Sequence, residues 1–236
     1  SIFCLTAEKL QVSISKLFCR LECMMGNEKQ TEQVKQPFSF EQFLRKISKG
    51  ILDPMAEFCL KIGIKPNMVT GMALILNAVT AYFLATGKIT LAGLILLVGA
   101  PLDALDGAIA RKRGEPSMYG AFIDSVSDRY AELIVLGGLL IYYIDKGNML
   151  ACLLAFIAAA GSVMVSYTKA RAEAVGFSAK VGILTRVERS IVMIICLIIN
   201  QPMIALWVIA ILANITAIQR IAFVHRQAFP RDQKIN

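Results

Sequence analysis

Asp103-Ala104-Leu105-Asp106-Gly107-Ala108-Ile109-Ala110-Arg111 closes one long apolar stretch of the chain. Gly120-Ala121-Phe122-Ile123-Asp124-Ser125-Val126-Ser127-Asp128 opens the next. Four carboxylates thus sit in sequence that otherwise has the character of a bilayer interior. At the centre of a membrane helix each costs at least about 2.5 kcal/mol on insertion scales, so a compensating partner is required. The surroundings support the membrane setting. Of 236 residues, 56% are hydrophobic and only 18% charged, against roughly 25% charged in ordinary globular domains. Segments 68–86, 149–168 and 190–219 carry no charge at all. About 20 mostly apolar residues span a bilayer.

Working outward, the pattern predicts an all-α polytopic membrane protein. Six spans are expected, over roughly 68–86, 89–111, 119–144, 149–173, 183–199 and 203–223. Gly87-Lys88, Asp145-Lys146-Gly147-Asn148 and Asn200-Gln201-Pro202 supply the turns. The last two spans could instead be read as one long tilted helix. Charge favours six. Lys46, Lys49, Lys61 and Lys65, then Arg111, Lys112 and Arg113, then Lys169, Arg171, Lys180, Arg186 and Arg189, then Arg220, Arg226, Arg231 and Lys234 fall on one side. Only Lys88 and Lys146 fall on the other. Basic connections stay cytoplasmic, which places both termini and the aspartates on the cytoplasmic side of the cell membrane.

Ahead of the spans, residues 38–66 read as a juxtamembrane amphipathic helix. Phe43, Leu44, Ile47, Ile51, Leu52, Met55, Phe58, Cys59 and Ile62 recur at helical spacing with lysines between them. Such a helix lies in the membrane interface, or packs on the bundle from the cytosol. Residues 1–37 form an N-terminal arm, charged and without a signal-peptide core over 1–23. Residues 67–226 make the transmembrane domain and 227–236 a basic cytoplasmic tail. The net charge of +8 follows topology instead of forming a patch, so no nucleic-acid partner is expected. The six cysteines show no paired metal-ligand spacing and no disulfide framework.

Asp103 and Asp106 are three residues apart, and Asp124 and Asp128 four, so each pair shares a helix face. Both pairs belong near the cytoplasmic ends of adjacent spans. Four facing carboxylates repel. One or two Mg²⁺ or Mn²⁺ ions relieve that, because hard cations take oxygen ligands. Salt bridges to Arg111, Arg113 and Arg129 are the structural alternative. Gly107 and Gly120 leave room for close approach, and Arg111 offers a planar cation to a phosphate. Metal, arginine and a spare carboxylate together suit phosphoryl-type transfer.

The segment Asp-x2-Asp-Gly-x2-Ala-Arg-x8-Gly-x3-Asp-x3-Asp resembles the signature of the CDP-alcohol phosphatidyltransferases at every fixed position. The likeness runs from about residue 38 to 226. It implies six transmembrane helices, a homodimer, and transfer of a phosphatidyl group from a CDP-linked lipid to an alcohol with release of CMP. It further implies that Asp103, Asp106 and Asp124 hold metal, with two ions per site. Asp128 would be the general base and a ligand to the second metal. Asp106, Gly107, Ala110, Arg111 and Gly120 would line the CDP-lipid site.

A second cluster lies at the end of the fourth span, Ser166-Tyr167-Thr168-Lys169-Ala170-Arg171-Ala172-Glu173. Arg186-Val187-Glu188-Arg189 follows after a loop. One hydroxyl and four cations suit a phosphate monoester. Membrane anchoring, with Glu173 and Glu188 as partners, is the alternative reading. The segment is similar to the family branch that makes phosphatidylinositol phosphate or archaetidylinositol phosphate. By that likeness Ser166, Lys169, Arg171 and Arg189, and more loosely Arg186, would hold inositol 1-phosphate. Thr185 stands where that pattern often has Glu. Glycerol 3-phosphate presents the same phosphate and is the close alternative acceptor. An ion-coupled transporter would also carry intramembrane carboxylates, but broken helices and duplicated halves are not evident.

Overall fold

The computed structural model describes residues 54–55, 57, 59–60, 66–113, 118–179 and 181–232. Among them the fold is all-helical. The helices are α1 (Pro66–Ala85), α2 (Ile89–Arg113), α3 (Met118–Asp145), α4 (Met149–Ala174), α5 (Arg186–Ile198) and α6 (Pro202–Asp232). Most of the expected amphipathic helix, and the arm before it, lie outside the described residues.

Proline opens α1 and α6, where its missing N–H is an unpaired group in any case. The turns come where the short connections predicted them. Gly87 and Gly147 take left-handed φ values of 80° and 66°. Asn200 at φ 57° ends α5, so the run 190–219 is two helices and not one. α5 starts at Arg186, later than the span expected from residue 183. Its first turn is capped by Glu188, whose carboxylate accepts from the Thr185 backbone N–H at 2.5 Å. Glu188 therefore caps a helix end. α6 runs on to Asp232, so the tail begins as helix.

Among the described residues three helices are long and apolar enough to cross a membrane: Met68–Ala85, Met149–Ala174 and Pro202–Ala228. Ile89–Leu102 is a shorter apolar helix. The other elements fall short for physical reasons. α2 and α3 carry the carboxylates and arginines at one end. α5 has 13 residues, about 20 Å at ~1.5 Å per residue, against a hydrocarbon core of ~30 Å.

α1 packs against α2 and α3, α4 against α3 and α6, and α5 against α2 and α6. Three of these crossings are set by glycines. A Cβ on Gly138 would come within 2.6 Å of the Ala81 carbonyl, one on Gly93 within 2.8 Å of the Ile198 amide nitrogen, and one on Gly161 within 2.5 Å of Asn214. Small residues let membrane helices pack through their backbones. The main core is correspondingly rich in alanine, with Ala92, Ala151, Ala158, Ala205 and Ala213 fully buried beside Leu84, Leu139, Leu197 and Leu206. A second cluster joins Val69 to Leu105 and Ile109, with Met55, Cys59 and Leu60 against it. Large apolar side chains such as Ile75, Val98, Phe156, Ile211 and Ile218 face outward, far more than a water-facing surface carries.

The second cluster also sets the register of the aspartates. Leu105 and Ile109 are buried against α1. At about 100° per residue, positions 103, 106, 107 and 110 then share the opposite face of α2. The side chains of Asp103, Asp106, Gly107, Ala110 and Arg111 lie outside the described residues. Pro101, two residues earlier, has no N–H to give the carbonyl of Leu97.

Candidate functional site

Gly120, Asp124 and Asp128 recur every fourth residue along α3, so they form one stripe. Asp124 is half-buried and one turn before Asp128. The side chain of Asp128 is 14% exposed. Its Oδ2 meets the Arg186 Nη1 at 2.6 Å, while Arg129 Nη1 stands 4.0 Å away. Arg129 turns back on its own helix, donating to the Ser125 hydroxyl at 2.7 Å and to the Ser125 carbonyl. Arg129 is therefore a local brace, and Arg186 is the close cation of Asp128.

The stripe continues one residue type further than expected. Glu132, four residues past Asp128, takes Arg189 in a two-pronged pair. Arg189 Nε donates to Oε1 at 2.7 Å and Nη2 to Oε2 at 2.9 Å. A longer contact runs from Arg189 Nη1 to the Leu184 carbonyl, 3.4 Å. Arg189 is only 2% exposed, so it is a buried, neutralised cation. Its partner comes from 57 residues away, which no local spacing reveals, although the i+4 stripe through Glu132 was readable.

Between these groups lies a cavity of about 60 Å³. Asp128, Glu132, Arg186, Arg189, Ser190 and Asn77 give it polar walls, and residues of α2, α3, α5 and α6 such as Leu96, Val135 and Met193 give it apolar ones. Asn77 is a buried polar residue in the middle of an apolar helix, donating to the Ala73 carbonyl at 2.8 Å. Sequence reading passed over it, though a buried amide at membrane depth is itself a signal.

Ser166, Lys169 and Arg171 close α4, with Ser166 half-buried and the two cations exposed. The structure brings Arg186 and Arg189 to the cavity wall, but these three are not among the described residues lining it. The link between the two groups is Arg220, which had been counted only as a topology marker. It is buried and donates to the Val181 carbonyl at 2.9 Å and to the carbonyl of Val165, the neighbour of Ser166. Arg189 and Glu173 are among its electrostatic neighbours. Thr216 adds a bond from α6 to the same loop, accepting from the Leu184 N–H at 3.1 Å.

The arrangement can do two things. A half-buried carboxylate can accept a proton from a hydroxyl brought to the cavity mouth, and arginines of two kinds can hold an anion beside it. Carboxylate oxygens such as those of Asp124 and Asp128 are ligands of the kind hard divalent cations take, although among the described residues no group of three or more His, Cys, Asp or Glu comes together to hold one.

Comparison with known proteins identifies the class of the chain. An archaetidylinositol phosphate synthase of Pyrococcus horikoshii is 37% identical over 179 residues, covering 75% of this chain and 93% of that protein. A phosphatidylinositol phosphate synthase of Streptomyces avermitilis is 30% identical over 208 residues, covering 81% and 84%. Among solved structures, the Mycobacterium tuberculosis phosphatidylinositol phosphate synthase with CDP-DAG bound superposes with a TM-score of 0.70 at 28% identity, over 74% of this chain and 93% of that one. The same enzyme in complex with manganese and citrate gives 0.68 over 73% and 88%. Residues 64–220 match the family model for CDP-alcohol phosphatidyltransferase. With well over half its length covered, this chain is a membrane enzyme belonging to the CDP-alcohol phosphatidyltransferase family.

Proposed function

We infer that the enzyme transfers the phosphatidyl-type group of a CDP-linked lipid to inositol 1-phosphate, giving a phosphatidylinositol-phosphate-type lipid and CMP. The observation that carries the acceptor is the cavity itself: Asp128 and Glu132 line it together with two arginines on one turn of α5. A bare alcohol needs no such cations, whereas a phosphate monoester does. The curated relatives named above are inositol-phosphate lipid synthases, which supports the same choice. Family membership sets aside the ion-coupled carrier.

In this reading Asp128 takes the proton of the attacking inositol hydroxyl. The hydroxyl oxygen bonds to the lipid-bearing phosphorus, the bridging P–O bond breaks, and CMP carries away the electron pair. Asp103, Asp106 and Asp124, with Asp128, would hold Mg²⁺ or Mn²⁺, two ions per site. Bound cations would neutralise the diphosphate and the leaving group. The manganese complex of the solved relative supports a divalent ion. Gly107, Ala110, Arg111 and Gly120 line the nucleotide, and Ser166, Lys169, Arg171, Arg186 and Arg189 serve the acceptor phosphate. Six membrane passes, a homodimer, and a site and termini on the cytoplasmic side complete the proposal.

The test is CMP release in detergent micelles from CDP-diacylglycerol and from its archaeol ether counterpart, with Mg²⁺. Inositol 1-phosphate, glycerol 3-phosphate and free inositol are supplied in turn. Turnover confined to inositol 1-phosphate is expected. Turnover with glycerol 3-phosphate alone would move the acceptor and leave the chemistry standing.

A further inference from the structure

Two ion pairs connect α3 to α5, and they differ in kind. Asp128–Arg186 is partly open, with Arg186 35% exposed on its side chain. Glu132–Arg189 is two-pronged and buried. Among the described residues α3 and α5 are not a close-packed helix pair, and the cavity lies between them. The arginine heads therefore bridge an opening, and neither pair is a by-product of tight helix packing. An exposed ion pair contributes little, while a buried two-pronged one is costly to break.

The donors of Arg189 sharpen the contrast. A guanidinium has five N–H groups. Nε and one Nη2 hydrogen go to Glu132 and one Nη1 hydrogen to the Leu184 carbonyl. Among the described residues this leaves one N–H on each Nη for a further acceptor, and a guanidinium held by two bonds to one carboxylate keeps one orientation.

We propose that Glu132 is a positioning residue: it locks Arg189 so that the remaining N–H groups of its guanidinium are pre-set for the phosphate of the acceptor. This rests on the acceptor being a phosphate monoester, as inferred above. Pre-orientation lowers the cost of ordering an arginine when the ligand binds, so its loss falls on acceptor KM and not on the CDP-lipid.

The experiment compares wild type with Glu132→Asp, Glu132→Arg and the charge swap Glu132→Arg/Arg189→Glu. Acceptor KM, CDP-diacylglycerol KM, kcat and Tm are measured with inositol 1-phosphate. Glu132→Asp keeps the charge and draws the fork back by one methylene. A shift of that size costs about tenfold or more in acceptor KM, with CDP-lipid KM and Tm close to wild type. The swap should regain the Tm that Glu132→Arg loses, yet keep a raised acceptor KM. Wild-type acceptor KM in either Glu132→Asp or the swap would reduce the pair to a strut and overturn the proposal. A wild type that is silent with every phosphorylated acceptor would sink the acceptor reading first, and this inference with it.

Discussion

At the scale of single residues, environment separates groups that look alike in sequence. Arg186 and Arg189 are three residues apart, yet one is a third exposed and the other is buried against Glu132. Removing one partner of a buried pair costs about 3–5 kcal/mol, whereas exposed pairs contribute about 0–1 kcal/mol. Arg189→Ala should therefore lower the midpoint of thermal unfolding in detergent strongly, and Arg186→Gln should barely move it. Equal shifts from the two would contradict the burial argument. Asp128→Asn keeps the shape of the side chain and removes the base. Its expected loss is about 10²-fold or more in kcat, with CDP-diacylglycerol binding retained when followed by calorimetry. Loss of lipid binding alone would relocate the base.

Helix crossings decide the next scale. α1 and α3 meet where Gly138 lies on the Ala81 backbone, and that crossing holds the aspartate stripe of α3 against the bundle. Gly138→Leu must push the two helices apart. Overpacking typically costs 1–3 kcal/mol, seen as a Tm drop together with reduced turnover. Gly137, with no atom near its Cβ position, is the matched control and should tolerate Ala. The helices themselves were largely legible. Charge-free runs and the Gly-Lys and Lys-Gly-Asn connections mark where the chain leaves and re-enters helix. The start of α5 was less so, because a capping Glu188 in an Arg-rich stretch looks the same as an ion-pair partner until the Thr185 N–H is seen to point at it.

For the whole molecule, the same carboxylates that would hold metal also repel one another without it. Chelation should abolish CMP release, and Mg²⁺ or Mn²⁺ should restore it. Helicity by circular dichroism should change little, because the core of Leu84, Leu139, Leu197 and Leu206 lies away from the carboxylates. Activity that persists in excess chelator would rule out the metal-dependent reading.

Spacing along one helix is a local property, so the chain alone determined the stripe Gly120, Asp124 and Asp128, its partner pair Asp103 and Asp106, and the family they mark. It also determined the apolar segments, since burial in lipid depends on composition and length. What only the tertiary structure decided is pairing between distant segments. Glu132 finds Arg189 across 57 residues. Arg220 ties Val165 to Val181. Asn77 arrives at the wall of the same cavity. Each of these depends on which helices come together, and that is set by where glycine and alanine let backbones approach. No short stretch of sequence carries that information.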